Sequence, residues 1–259
     1  MGTAGNVDAE VAARNAAETV ALLDLDCQVA KGPESALAGP YPDAGDPFHG
    51  ADGLGGIEPL LPGADQGDML ANPLALIEGS LLATGALTIV AQAITTGRPI
   101  SDITWMGGAV ACGGNMTPSA EFNAWLDPEA ADLVLSGNVP LAVIPLDVTR
   151  LVALTSEDLV VMASLGDMSA LAAQAFSYFH DHGGEMVPHD AVAAVAFLEP
   201  ELFDWEERWV RCELNGSWTR GMTVVDRREH GKRGQVKVAV NVDPGVVKER
   251  IFTALRALR

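Results

Sequence analysis

Between Asp8 and Leu23 the apolar side chains return at helical spacing, with Ala12, Ala16, Val20 and Leu23 on one stripe, so the segment is predicted as a helix. Leu81–Thr84 is a short apolar strand, and Gly85 is read as opening a helix to about Ile94. Ile103–Met106 is a second strand, stopped by Gly107 and Gly108. Asp127 followed by Pro128 is a helix start, Asp as cap and Pro at the first helical position, and Gly137 ends that helix. Leu141–Pro145 is a buried strand, Met168–Phe179 a helix, and Ala191–Leu198 a helix apolar all round and therefore central. The pattern then changes. Trp209–Leu214, a turn at Asn215-Gly216 and Trp218–Val225 predict a hairpin, followed by a strand at Val236–Val242 and a helix over Pro244–Leu258.

Helices alternating with short strands predict the α/β class, as an open, mainly parallel sheet with helices on both faces and an added C-terminal hairpin. Residues 1–259 are read as one domain. Such a sheet ordinarily begins with a central strand, yet this chain opens on Gly5-Asn6-Val7 and then a helix. The first strand is therefore expected to be missing, and the domain to be incomplete at its N-terminus. Residues 32–66, rich in Gly, Pro and Asp, form a segment too long for a passive connector.

Charge narrows the function. The net charge is −19, with 28 acidic and four basic residues in 1–205 against seven and twelve in 206–259. An acidic body repels phosphate backbones, which argues against nucleic acid as a partner. The basic C-terminal stretch lacks interleaved aromatics and is read as packing on the acidic body. Cys27, Cys112 and Cys212 lack metal-ligand spacing and suit buried thiols in a reducing compartment. With no signal core and no long apolar span, the protein is expected in the cytoplasm, away from membranes.

Four clusters carry candidate chemistry, each with a plainer alternative. In Pro188-His189-Asp190, Asp190 is either a helix cap or a ligand-binding acid. In the segment Gly114–Asn123, an extended Glu121–Asn123 would project both side chains from one face, and a polar loop is the other reading. The His49–Gly56 loop carries one titratable group and fits no phosphate-loop spacing. His180-Asp181-His182 is either a transition-metal site or a solvated helix end.

Together these runs resemble a known family. Met106–Val110, the Gly114–Asn123 segment, Leu126–Ala131, Pro145–Thr149, the His49 loop, Gly85–Thr88 and His189-Asp190 with Leu198–Phe203 follow the order of motifs in the inosine-uridine type nucleoside hydrolases. The resemblance covers nearly the whole chain. It implies hydrolysis of ribonucleosides to ribose and free base, assisted by one Ca²⁺, an ion that takes about six to eight oxygens. It implies Asp190 as a calcium ligand that also touches ribose, and the backbone carbonyl of Thr88 as a second ligand. Asn6, Asn115, Glu121 and Asn123 would hold ribose hydroxyls, Met106 would line the pocket, and His49 would sit near the base. His189 would be the acid for the departing base, with an imidazole poised near pH 6.5. Base contacts are expected around Leu165–His182, where Tyr178 and Phe179 either stack on a base or pack in the core. A homo-oligomer is expected.

The departures are equally informative. The family's opening Asp-x-Asp-x-x-x-Asp-Asp motif, which supplies calcium ligands and the water-activating base, does not occur here, a shortfall of about one strand-and-helix unit, ~30 residues. The family's Thr-Asn reads Thr88-Ile89, and its preceding proline is Ala86. The expectation is that residues 1–259 bind calcium weakly and hydrolyse little. The competing readings are a catalytically dead ribosyl-binding or subunit partner, a different reaction on a ribosyl compound, and an unrelated metal hydrolase built on His180, His182 and His189.

Overall fold

The computed structural model describes residues 1–43, 48–57, 69–228 and 235–258. Helix α1 (Ala9–Leu22) starts where Asp8 accepts a hydrogen bond from Val11 N at 2.8 Å, the usual task of a short acidic side chain at a helix start. Its buried positions are Ala9, Ala13 and Glu18, while Ala12, Ala16, Val20 and Leu23 are half-buried. The buried face is therefore displaced from the predicted stripe. The reason is a close backbone approach: a Cβ on Gly2 would lie 2.2 Å from Ala13 N, so only glycine fits. Gly2 forms a parallel bridge with Lys31, and Ala30 one with Leu70. Paired backbone thus precedes Gly5, as a bridge rather than a strand.

Strands β1 (Ser35–Ala36) and β2 (Gly39–Pro40) make a small antiparallel hairpin inside the 32–66 segment. Residues 44–47 and 58–66 of that segment lie outside the described residues. The main sheet contains β3 (Gly79–Ala83), β4 (Ile100–Met106), β5 (Leu141–Ile144), β6 (Phe203–Cys212), β7 (Thr223–Asp226) and β8 (Gln235–Val242). Its order is β3-β4-β5-β8-β6-β7, parallel from β3 to β8 and antiparallel beyond. The mainly parallel α/β architecture is as predicted.

The helices that follow α1 are α2 (Thr88–Thr95), α3 (Phe122–Leu126), α4 (Pro128–Leu135) and α5 (Leu146–Thr149), then α6 (Ser156–Ala163), α7 (Asp167–Asp181), α8 (His189–Leu198) and α9 (Pro244–Ala257). On one face of the sheet Ile103, Trp105, Leu141 and Val143 pack with Val90 of α2 and Val134 of α4. On the other, Met106 and Ile144 pack with Val192 and Ala196 of α8 and Val247 of α9. The unbroken apolar run of β5 is what a strand covered on both sides requires. Met162 of α6, Ala173 of α7 and Phe252 of α9 form a third, smaller cluster.

Several predicted elements shift. The helix expected at Gly85 begins at Thr88, and the Gly85 carbonyl instead accepts from Trp105 Nε1 at 3.1 Å. Helix α8 is buried along one face only, since Leu198 is 75 % exposed. The C-terminal hairpin is β6–β7, but Cys212 pairs with Thr223, so residues 213–222 form its connection. The turn at Asn215-Gly216 is held by Glu213 Oε1, which accepts from both backbone nitrogens at 2.7 and 3.1 Å. Strand β6 begins at Phe203 because Phe203–Trp209 pair with β8.

The basic end does pack on the acidic body. Arg211 pairs with Asp132, Arg220 with Glu129, Lys248 with Asp158 and Arg250 with Glu199. Of the three cysteines only Cys212 is buried; Cys27 and Cys112 are exposed, contrary to the expectation of buried thiols. Among the described residues no helix is long and apolar enough to cross a membrane.

Candidate active site

Because β3, β4 and β5 run parallel, their C-terminal ends lie along one edge, where open α/β sheets collect ligands. Asn123 ties two of those ends together: Nδ2 donates to Thr84 O at 3.2 Å and to Met106 O at 3.0 Å. With both amide hydrogens committed, Asn123 offers a ligand its carbonyl oxygen. Asn123 is helical rather than extended, and Glu121 is the cap of α3. The predicted one-face extended pair is therefore replaced by a cap and a first-turn residue.

Glu121 is 2 % exposed. Oε1 accepts from Asn123 N, and Oε2 from Gly108 N and Ala124 N. Burial pushes its carboxyl up to about 7, against the pull of those three donors, and the charge of Asp190 adds to the rise. Asp190 keeps an exposed face, yet burial among surrounding protein pushes it up to about 6.

Asp190 does not cap α8; Pro188 holds that position, and His189 and Asp190 form the first turn. His189 Nδ1 lies 2.7 Å from Thr149 Oγ1 at the end of α5. Burial pushes His189 down to about 4, with Glu185 opposing and Arg150 assisting. The expected poise near 6.5 is not met, because the half-buried ring sits deep in protein and gains no carboxylate of its own. Arg150 meanwhile makes a two-pronged pair with Glu185 at 2.8 Å on each prong and also donates to Gly113 O.

Thr88 caps no ligand with its side chain. Its hydroxyl donates to Asp127 Oδ2 at 2.6 Å and accepts from Tyr41 Oη at 2.8 Å. Met106, the last residue of β4, is 3 % exposed and packs in the core with Ile144 and Val192. Asn115 is exposed, and its Oδ1 accepts from Phe122 N at 2.9 Å. Asn6 is exposed, beside Gly5, whose Cβ would lie 3.6 Å from Leu126 and 3.7 Å from Phe122 of α3. That puts the Asn6 turn against the same helix as Asn123.

His49 stacks on Phe179 of α7, with ring centres 4.5 Å apart. Its loop is pressed onto that helix, since Gly55, at φ 70°, would bring a Cβ within 2.8 Å of Tyr178. Burial lowers the His49 imidazole below its usual range. His180 and His182 end α7 in solvent, and His182 Nδ1 contacts Tyr178 O at 2.7 Å. Among the described residues no group of three or more His, Cys, Asp or Glu could hold a metal ion.

Sequence reasoning gave no role to Thr149, Tyr41, Asp147 or Arg150, and to Asp127 only that of a helix cap. Asp147 accepts three backbone hydrogens, from Val110, Ala111 and Cys112 at 2.8–2.9 Å, and so shapes the loop after β4. Its signal was present, since Asp147 and Thr149 stand inside the Pro145–Thr149 motif.

The profile of the inosine-uridine preferring nucleoside hydrolases matches residues 1–249. The pyrimidine-specific ribonucleoside hydrolase RihA of Salmonella typhimurium is 33% identical over 264 aligned positions, covering 93% of this chain and 84% of that protein. Among solved structures, a plant nucleoside hydrolase, PpNRh1, is similar at a TM-score of 0.87 and 27% identity, covering 98% of this chain and 88% of that one. A purine-preferring ribonucleoside hydrolase from Gardnerella vaginalis is similar at a TM-score of 0.87 and 25% identity, over 99% and 89% of the two chains. With a matching sheet edge and a profile spanning nearly every residue, the chain belongs to the inosine-uridine preferring nucleoside hydrolase family.

Proposed function

We propose that the protein hydrolyses the bond between ribose C1′ and the base nitrogen of purine and pyrimidine ribonucleosides. The observation that carries this is the sheet edge itself, where buried Glu121 is tied to Gly108 and Asn123 to the ends of two strands, in a member of this family whose helix α8 opens on His189 and Asp190. In the reaction the C1′–N bond breaks and its electron pair leaves on the base. Water contributes its oxygen to C1′ and one proton to the base. The ribose develops positive charge on the way, which nearby carboxylates stabilise. Asp190, Glu121 and the Asn123 carbonyl accept from ribose hydroxyls in this reading, with Asn6 and Asn115 at the rim. His189 gives its ring hydrogen to the departing base and takes up in its place the proton released by the attacking water, so the base gains one proton in all, and His49 with Phe179 stands on the base side. The neighbours' names differ in base preference, so the proposal covers both uridine and inosine.

The described donors do not make a calcium site. Calcium takes about six to eight oxygens, and only Asp190 and the Thr88 carbonyl are candidates; the Thr88 hydroxyl is committed to Asp127. Residues 1–259 by themselves are expected to bind calcium weakly and to turn over slowly. The same shortage favours a second reading, ribosyl binding without turnover. A homo-oligomer working in the cytoplasm completes the proposal.

The test follows free base released from uridine and inosine beside their 2′-deoxy counterparts, with equilibrium dialysis of each. A site that hydrogen-bonds the 2′-hydroxyl slows the deoxy substrates by roughly 10,000-fold. Binding of ribonucleosides with no base released supports the second reading. Equal handling of ribo and deoxy forms removes both.

A further inference from the structure

The hydrolysis of a ribonucleoside by the residues above leaves one buried hydroxyl unused. Thr149 is completely buried at the end of α5, just past the C-terminal end of β5. Among the described residues its hydroxyl has one partner, His189 Nδ1, at 2.7 Å. The carbonyl of Pro145, one helical turn back, already receives Val148 N and Thr149 N at 3.1 Å each. A buried hydroxyl whose hydrogen finds no acceptor costs about 1–3 kcal/mol. In a neutral imidazole one nitrogen carries the hydrogen and the other accepts. If Nδ1 carried it, the Thr149 hydrogen would be left unpaired. If Nε2 carries it, both groups are satisfied.

We propose that Thr149 is a positioning residue for His189: its buried hydroxyl donates to Nδ1 and fixes the ring as the tautomer with its hydrogen on Nε2. Among the described residues Nε2 has no hydrogen-bond partner. The hydrogen available to a departing base is then the Nε2 hydrogen, held in a set direction. The backbone that leads to the ring is held by several bonds. His189 N donates to Val187 O at 2.9 Å, Leu154 N to Met186 O at 2.6 Å, and the Arg150–Glu185 pair clamps the segment just before it. A doubly protonated ring would likewise leave the buried Thr149 hydrogen without an acceptor, so the contact itself selects the neutral ring with its hydrogen on Nε2.

The inference rests on the acid role proposed for His189, and the experiment separates the two. Protein labelled with ¹⁵N in histidine is studied at neutral pH by long-range ¹H–¹⁵N correlation, with His189→Ala identifying the resonances. The expected spectrum shows Nε2 protonated and Nδ1 bare. Thr149→Val should move the ring towards a mixture of tautomers, and Thr149→Ser should restore the single one. Hydrolysis is then followed on uridine and on p-nitrophenyl riboside, whose leaving group needs no hydrogen. Thr149→Val should slow uridine about tenfold and leave the riboside unchanged, with Thr149→Ser near the parent. A wild-type spectrum with Nδ1 protonated overturns the inference whatever the kinetics. His189→Ala slowing both substrates equally would instead remove the acid role, while the spectrum still decides the part played by Thr149.

Discussion

Glu121 is held by three backbone N–H groups in a site that shields it from water. The donors are fixed by the chain, so the side chain must present two acceptor oxygens. Glu121→Gln puts an NH₂ group where one of those N–H donors points. The substitution should destabilise the fold by about 1–3 kcal/mol, although it removes a carboxyl that burial disfavours in its charged form. A urea unfolding midpoint checks this, and an unchanged midpoint would show that the cap carries no weight. This capping was not legible in the sequence. A short side chain such as Asp or Ser is the ordinary signal for a helix start, and Glu121 reads as an extended ligand residue until Gly108 folds back to meet it. His189 was legible as a chemical group, but its neutral state was not, because burial and the partner on Thr149 come from elements forty residues away in sequence.

At the scale of elements, Asp127 joins four of them. It caps α4 through Ala130 N at 3.0 Å, accepts from Leu37 N at 2.9 Å beside the small hairpin, and receives the Thr88 hydroxyl at the head of α2. Asp127 also closes the C-terminal end of α3. Its capping role was readable from Asp127-Pro128, since both residues stand where a helix start wants them. Its links to Leu37 and Thr88 were not, as nothing in local spacing joins residues 39 and 90 positions apart. Asp127→Ala should cost about 2–3 kcal/mol by adding a lost cap to the buried Thr88 hydroxyl left unpaired, with a smaller share from the Leu37 N–H, which water can reach. Thr88→Val should cost less, since it leaves the cap intact. Equal losses in chemical denaturation would contradict this division. The strands were legible because parallel, doubly covered strands are written as apolar runs. The hairpin turn was misplaced because Asn215-Gly216 marks a turn within a ten-residue connection, and Glu213 rather than strand pairing holds it.

Across the whole molecule, opposite charges join the late strands to the early body. Arg211 grips Asp132 with two bonds of 2.5 and 2.6 Å, and Cys212 N adds a third to the same carboxylate. Asp132 is nearly buried, so Arg211→Ala should destabilise by about 3 kcal/mol, measured by thermal unfolding. The Arg220 guanidinium beside Glu129 holds that carboxyl below its ordinary value of 4.5. Its stabilisation is complete above 4.5 and is lost as pH falls through the lowered folded value. Arg220→Gln should therefore narrow the gap in melting temperature between pH 7 and pH 3, by an amount equivalent to about 0.5 kcal/mol for so exposed a pair. A gap as wide as in the parent would remove the pair from the acid response. The central claim is that Asp190, Glu121 and His189 form one ribose-and-base site at the sheet edge. It is met most directly by chromatography of the free base released from uridine by residues 1–259 and by Asp190→Ala, at millimolar calcium. The account predicts slow release from the parent chain and a fall of at least ~100-fold in the variant, the scale on which loss of an electrostatic partner acts. Release at the same rate from both would contradict it.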